Sequence, residues 1–499
     1  LLPGYAGRSL HREAYYHDPQ QSTGWLGSLF PSLPAAPVER PDENPHPWPA
    51  EAREVAQSLL RLGALQAIDG GLAIERRRES FNAPTAELAG ASETLSLVSS
   101  AGWVIRSAGG HAHGVSQSCV QWCNEHERGI FSRPFQLGRV RKSSPADLAR
   151  PPLDLSGPVL EPLDRSYRNY TVEIRRPATE QVLLVLKAPG DQDYEVRFLV
   201  DTARDVVLSM ETRQDGKLAN RTKYDEFVEI LGMWWATRVE TTDGQGRRTS
   251  LVTQTFEPLD ANTAAQQIEH ALAGRDRVQL VKEPLPAVAE AKQAVADGKD
   301  TYSDRLALVL HFSESQQWTR VMEHLEASEK LAEGKPGVRF VRDAVLNVAR
   351  RHEELKARIL AEAAALTKAR PDDLREPNRL FLAEYLMGQA SGILEANEGL
   401  ALLDMLRPVY EAAPEYVHAM KRWTEQRIDR LEQTGRAAEA LELQRQLASQ
   451  YPHDYSAQQQ YAQALFNAGD FAAGYAWLDT ALAPDREWQP YEENSLRGV

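Results

Sequence analysis

Residues 194–230 read "YEVRFLVDTARDVVLSMETRQDGKLANRTKYDEFVEI". Apolar and polar residues alternate on both sides of Asp215-Gly216, and that dipeptide suits a tight hairpin turn because the turn needs positive φ, which glycine adopts without steric penalty. The next stretch, "MWWATRVETTDGQGRRTSLVTQTF" (233–256), repeats the pattern around Asp243-Gly244. Working upstream, "QVLLVLKAPG" (181–190), "YTVEIRR" (170–176), "ETLSLVSSAGWVIRSAG" (93–109) and "GLAIERRRESF" (71–81) alternate in the same way. Sequential hairpins of this kind predict an antiparallel meander with one face packed and the other wet.

The flanks of this β region differ in composition. Pro31, Pro34, Pro37, Pro41, Pro45, Pro47 and Pro49 punctuate residues 1–50 and favour extended chain, so this segment is expected to be a linker or the remnant of an upstream domain. "AEAREVAQSLLRLGALQ" (50–66) places Val55, Leu59, Leu60 and Leu62 at helical spacing before Asp69-Gly70-Gly71 ends it. A linker is expected at 263–300, around "KEPLPAVAEA" (282–291), and from 301 the chain turns rich in Ala, Leu, Glu and Arg with a helical period. There "LEQTGRAAEALELQRQLA" (from Leu431) and "LFNAGDFAAGYAWLDTAL" (from Leu465) align at an offset of 34: Leu431 with Leu465, Gly435 with Gly469, and Ala438 with Ala473 within one place. Thirty-four residues is the tetratricopeptide period. Pro336, Pro371 and Pro414 punctuate less regular helix pairs upstream. The expected division is therefore 1–50, 51–262 (β domain), 263–300 and 301–499 (tetratricopeptide-like solenoid).

With 499 residues the chain is long enough for two or three domains. Its 57 basic and 71 acidic residues give a net charge of −14, which disfavours broad binding of nucleic-acid phosphates. No run approaches the roughly 18–20 apolar residues of a membrane-spanning helix. The opening "LLPGYAGRSL" has neither an initiator Met nor a signal-type core, and reads as a segment cut from a longer precursor.

The stretch with most soft ligands is "HAHGVSQSCVQWCNEH" (111–126). His111, His113, Cys119, Cys123 and His126 are the residue types of a zinc site. The residues between the cysteines, Val120, Gln121 and Trp122, hold no Gly or Pro to turn the chain, and in a strand Cys119 and Cys123 would stand about 13 Å apart. That is too far for one metal or a disulfide. A plain strand is therefore preferred, with free cysteines and no metal, and a zinc-dependent module or metalloenzyme on this cluster is the alternative. Phosphate loops, the Gly-x-Ser-x-Gly elbow and His-Glu-x-x-His do not occur in the sequence, and no cofactor or catalytic residue is expected.

"GWVIRSAGG...SCVQWCNEHERGIFSRPFQLGRV" and then 194–253 together resemble the LolA family of periplasmic lipoprotein carriers, over roughly residues 55–260. In that comparison Asn124–Arg128 form a turn and Ile130–Phe131 begin the next strand. "GMWWATRV" departs from the family by placing Trp234-Trp235 where relatives commonly carry Pro. The resemblance implies an antiparallel half-barrel with a capping helix around an apolar cavity, and an extracytoplasmic setting (periplasm, cell surface or secreted) as in large bacterial multidomain proteins. Alternation nominates Trp103, Trp122, Phe131, Phe198, Leu208 and Trp235 as cavity lining, for a lipid or acyl chain if the cavity is open, or as packing if the half-barrel is vestigial. Stacked helix pairs leave a concave groove for a protein or peptide, with Arg427, Gln458 and Tyr461 as its candidates. The reading is a non-catalytic binding or scaffold protein, with a purely structural segment of a giant surface protein as a further alternative.

Overall fold

A computed structural model describes residues 29–31, 33, 48–60, 69–81, 88–111, 114–149, 151–153, 163–190, 193–368, 377–413, 419–483, 488 and 490–498. The Pro-rich reading of 1–50 lies almost wholly outside these residues, as does Leu62. The chain divides into two compact units. One runs to Arg350, apart from two strand segments. The other holds Arg351 onward together with those segments, Glu79–Ala91 and Gly109–Gln117.

Fourteen strands form one sheet: β1 (Gly71–Phe81), β2 (Leu88–Ser99), β3 (Gly102–His111), β4 (Gly114–Asn124), β5 (Glu127–Ser132), β6 (Leu137–Lys142), β7 (Thr171–Ala178), β8 (Gln181–Lys187), β9 (Tyr194–Asp201), β10 (Val206–Gln214), β11 (Lys217–Ile230), β12 (Met233–Asp243), β13 (Arg248–Leu259) and β14 (Gln279–Lys282). Their spatial order is β14-β6-β5-β4-β3-β2-β1-β13-β12-β11-β10-β9-β8-β7. Two meanders, β1 to β6 and β7 to β13, are thus joined where β1 lies against β13. The order ends at β7 and β14 without meeting, so the sheet is an open half-barrel with two edges. The hairpins β7 to β13 are antiparallel, whereas β14 pairs with β6 in parallel.

Local sequence explains the register. Asp215 and Gly216 both take positive φ, 52° and 70°, as a two-residue hairpin turn demands. The second expected turn is built differently. Asp243 Oδ1 accepts from Gln245 N and Arg247 N at 2.9 Å each, and the left-handed residue is Gly246 rather than Gly244. Asp-Gly there is the start of a longer Asx-type loop.

Charge sorts the faces of β7 to β13. Glu195–Arg197, Glu211–Arg221 and Glu240–Arg248 form ion pairs at 2.6, 2.6 and 3.0 Å across the outer face. Such pairs at partial exposure contribute about 0–1 kcal/mol each, so they mark the wet face rather than drive folding. The inner face carries Val182, Leu184, Leu186, Val196, Phe198, Val200 and Val239, and the helix Ala50–Ser58 lies on it through Ala52, Ala56 and Leu59, beside Trp48. The one-face-wet pattern does not extend to β1 to β6. There the outer face is covered too, by helix Ala261–Ala271, whose Ala264 and Ala271 pack on Val104, Val120, Trp122 and Phe131. Asp260 caps that helix, accepting from Asn262 N and Thr263 N at 3.0 Å each. Residues 263–300, expected as a linker, therefore contribute the rest of this helix, strand β14 and helix Val288–Ala296.

Helices Tyr302–Glu314, Trp318–Leu331 and Val338–Val348 complete the first unit, and Phe340 meets Phe135 of the β5–β6 connection edge-on at 4.9 Å. The second unit holds helices His352–Thr367, Pro377–Ala390, Ala396–Glu411, Ala419–Gln433, Ala437–Gln450, Tyr455–Asn467, Phe471–Ala481 and Pro490–Arg497. The boundary between units falls at Arg350/Arg351, fifty residues beyond the change in composition, because the first helices after 300 pack with the β domain.

Gly129 shows how closely the outer face is packed. A Cβ there would come within 2.1 Å of Trp122 Cζ2 on the paired strand. Gly129→Ala should destabilise the first unit by about 1–3 kcal/mol, read as a lower midpoint in urea with unchanged slope.

Candidate functional site: the inner face of the half-barrel

Strand alternation decides which aromatic residues can share a site. On β3, Trp103 and Ile105 face inward and Val104 outward; on β4, Cys123 faces inward, while Val120 and Trp122 face outward. Trp235 on β12 joins Trp103 and Cys123 in one buried cluster, with its ring 5.0 Å from that of Phe256. Val239 and Val252, each four residues along from Trp235 and Phe256, continue the same face into the core under helix Ala50–Ser58, where Phe198 lies with Tyr167 stacked edge-on at 5.8 Å.

The six proposed lining residues thus separate. Trp103 and Trp235 fall in one buried cluster, and Phe198 lies further along the same inner face. Trp122 and Phe131 pack on the opposite face, 5.9 Å apart, because each is out of phase with the inward positions of its strand. Leu208 sits at a β-bulge: register slips between Val207 and Ser209, which leaves it without a partner on β9 and half-buried. The inner face is divided lengthwise. Its Phe198 end is covered by the chain itself, through Trp48, Ala56, Leu163 and Tyr170. Its Trp103–Trp235 end is covered by Leu148 and Leu153, with Ile230 and Met233, half-buried, at the tip of the β11–β12 hairpin.

Beside this end lies a polar group that alternation alone does not reveal. Arg128, placed in a turn by the sequence comparison, is in β5, between Cys123 on β4 and Arg141 on β6. The turn itself is shorter: Asn124 Oδ1 accepts from His126 N and Glu127 N at 2.9 Å each. Two arginines directly opposite would repel. Asp147, fully buried, lies between them, accepting from Arg128 Nη1 and from Arg141 Nη1 and Nη2 at 2.8 and 2.7 Å. Ser144 N and Oγ donate to it at 3.0 and 2.8 Å. Burial alone would raise the Asp147 pKa, but hydrogen bonds from Arg141, Arg128 and Ser144 outweigh it and hold the carboxyl well below the usual range. The Trp103 Nε1–H donates to the Asp147 carbonyl at 3.0 Å, and the Arg128 guanidinium lies 5.5 Å from the Trp103 ring centroid. One signal was legible: "SSPADLA" (143–149) reads as a helix start, with Pro145 at its first position and Ser144 and Asp147 three apart.

The thiols belong to the packing. Both lie in uninterrupted β4, opposite Ser132 and Arg128, and both are free. Burial pushes the Cys119 thiol up to about 12 and the Cys123 thiol up to about 11, with the Asp147 charge adding to the latter. His126 is exposed at the turn; His113 and the side chain of His111 lie outside the described residues. Among the described residues no three His, Cys, Asp or Glu side chains come together as a metal site.

In the second unit the groove candidates also part company. Gln458 is 1% exposed and donates through Nε2 to the carbonyls of Ala448 and Tyr451, at 2.7 and 3.0 Å, closing the end of the preceding helix. Tyr461 is buried edge-on against Trp477 at 4.8 Å. Arg427 is closer to solvent, pairing with Asp404 and lying 5.4 Å from the Trp423 ring. A polar side chain on a first helix can equally serve the helix-to-helix seam, and sequence spacing does not separate the two.

No family model and no curated protein matches the chain. Among solved structures it is similar to an outer membrane lipoprotein-sorting protein domain from Vibrio parahaemolyticus (13% identity, TM-score 0.25), covering 44% of this chain and 97% of that one. A DUF1329 family protein from Desulfovibrio piger (10%, 0.26) is matched over 42% of this chain and 92% of its own. A LolA superfamily protein from Nitrosomonas europaea (15%, 0.23) is matched over 41% and 94%.

Raised thiol pKa values leave on the order of one thiolate in a thousand for Cys123 and one in ten thousand for Cys119 at pH 8. Native protein should therefore react with iodoacetamide far more slowly than free cysteine, and denatured, unreduced protein should take up two labels. A 119–123 bridge found by mass spectrometry would contradict the strand geometry. The Asp147 pKa is depressed on folding, so its contribution is present above the unfolded value near pH 4 and is lost as pH falls below it. Asp147→Asn should cost about 3–5 kcal/mol at pH 7 and flatten the acid limb of stability against pH.

Proposed function

We propose that the chain is a non-catalytic binding protein, in which the inner face of the half-barrel holds a hydrophobic ligand and the helical region docks a protein partner. One observation carries the first half. The Trp103–Trp235–Phe256 cluster is an aromatic, apolar surface whose outer margin is formed by half-buried Ile230 and Met233 at a hairpin tip. Trp103 and Trp235 are already buried by the chain, so the gain open to an apolar occupant is contact with a dry aromatic lining at the Ile230–Met233 margin. The Phe198 end, filled by the chain's own helix, fits a shorter site than a full-length barrel cavity would offer. The chemistry around it favours binding over catalysis: the thiols are held protonated and Asp147 is engaged by two arginines.

The helical region reads as tetratricopeptide-like. Gly435 and Gly469, 34 residues apart, both take positive φ (73° and 81°). Arg436 N bonds Leu431 O and Asp470 N bonds Leu465 O, each at 2.9 Å, so the turn between first and second helices repeats bond for bond. Ala440 and Gly474, also 34 apart and both buried, are the small residues of the second helices. Repeats of this kind commonly dock proteins. An extracytoplasmic location is proposed on the sequence resemblance alone.

Titration with the uncharged fluorophore N-phenyl-1-naphthylamine tests the ligand half. Saturable binding with a micromolar Kd is expected. Met233→Asp, at the half-buried margin, should weaken it at least tenfold while leaving the far-ultraviolet circular dichroism unchanged. Absence of saturable binding would refute the hydrophobic-ligand reading in favour of a packed scaffold.

A further inference from the structure

Among the described residues the charges beside the Trp103–Trp235 cluster do not balance. Arg128 and Arg141 carry two positive charges, and Asp147, the one carboxylate they share, carries a single negative charge. The Arg128 side chain is 4% exposed and that of Asp147 is 0% exposed. The nearest other acidic side chain on β5, Glu127, is engaged elsewhere, by Arg275 and by Trp122 Nε1 at 3.0 Å, on the outer face. The Arg141 side chain, 19% exposed, reaches solvent, so the charge short of a full counter-charge is that of buried Arg128, kept beside an apolar aromatic surface.

Two donors point to where that counter-charge sits. Arg128 Nε and Trp235 Nε1 are both buried, and among the described residues neither has a hydrogen-bond acceptor. They belong to one neighbourhood: the Arg128 guanidinium lies over Trp103, and Trp103 and Trp235 share a cluster. Asp147 cannot serve them, since its oxygens already take hydrogen bonds from both arginines and from Ser144. Cys123 on β4, beside Arg128, is held as the neutral thiol by burial.

We propose that this end of the inner face recognises an apolar molecule with an acidic head group, a carboxylate in the simplest case. Arg128 supplies charge and its Nε–H, and Trp235 supplies its indole N–H. The proposal rests on the hydrophobic-ligand reading above and adds the head-group class to it. Arg128 is the charge-bearing partner and is itself oriented by Asp147, so the carboxylate–arginine contact would be formed by a guanidinium already fixed in place.

The test uses the whole chain and two matched fluorescent probes, cis-parinaric acid and its methyl ester, which differ only in the head group. The acid should bind at least tenfold more tightly than the ester at pH 7.5. Trp235→Phe, which keeps an aromatic ring and removes the donor, should weaken acid binding severalfold more than ester binding, the change in the acid-to-ester ratio being the readout. Equal affinity of acid and ester would overturn the head-group assignment while leaving the apolar site intact. Binding of neither would remove both readings together. If Trp235→Phe loses acid and ester equally, the ring acts only by packing and the assignment to its N–H fails.

Discussion

A fourteen-stranded open sheet has two faces and two edges, and all four must be dealt with before anything else in the molecule can be stable. Alternation divides each strand between the faces, so what covers a face is decided residue by residue along the chain. The β7 to β13 meander answers with one apolar and one salt-bridged face, and needs cover on one side only. The β1 to β6 meander carries large side chains both ways, Trp103 inward and Trp122 outward, and needs cover on both. Helix Ala261–Ala271 and the short helix Pro145–Ala149 exist in their positions because of that second requirement. The site follows from the same constraint, since the inner aromatic cluster is what remains between them.

The sheet was readable from sequence wherever strands joined by tight turns carried a regular alternation. Residues 194–256 behave this way, and their charged positions fall on the wet face. Sequence reading fails where the pattern has local exceptions. A single extra residue at the β10 bulge takes Leu208 out of phase with the inward positions. Trp122 and Trp103 look alike as large aromatics in adjacent strands, and only their parity separates the inner face from the outer. Residues 263–300 look like a linker because Pro284 and Pro286 interrupt any strand or helix period at their centre, yet Ala264 and Ala271 suffice to pack a helix against Trp122.

The polar network was hidden for a different reason. Arg128, Arg141 and Asp147 are nineteen residues apart at most and lie on three elements, with no fixed spacing to advertise them. What identifies them is a neutralisation requirement created by strand pairing: two arginines become neighbours only once β5 and β6 are in register. The turns at Gly435 and Gly469 stood at the other extreme. Both glycines sit at left-handed positions 34 residues apart, so one residue type at a fixed interval carries the signal.

The open ends of the sheet have a consequence for how the molecule behaves in a crowd. Among the described residues strand β7 ends the sheet with one side unpaired, an invitation to any extended chain that could lengthen the sheet. It is poorly suited to that use. Glu173, Arg175 and Arg176 project from it in quick succession, Glu51 reaches across to Arg176, and Pro177 removes an amide donor near its end. At the other end β14 is four residues long. Neither end of the sheet offers a long, flat, uncharged template, the kind of edge on which copies of a chain zip together into fibres.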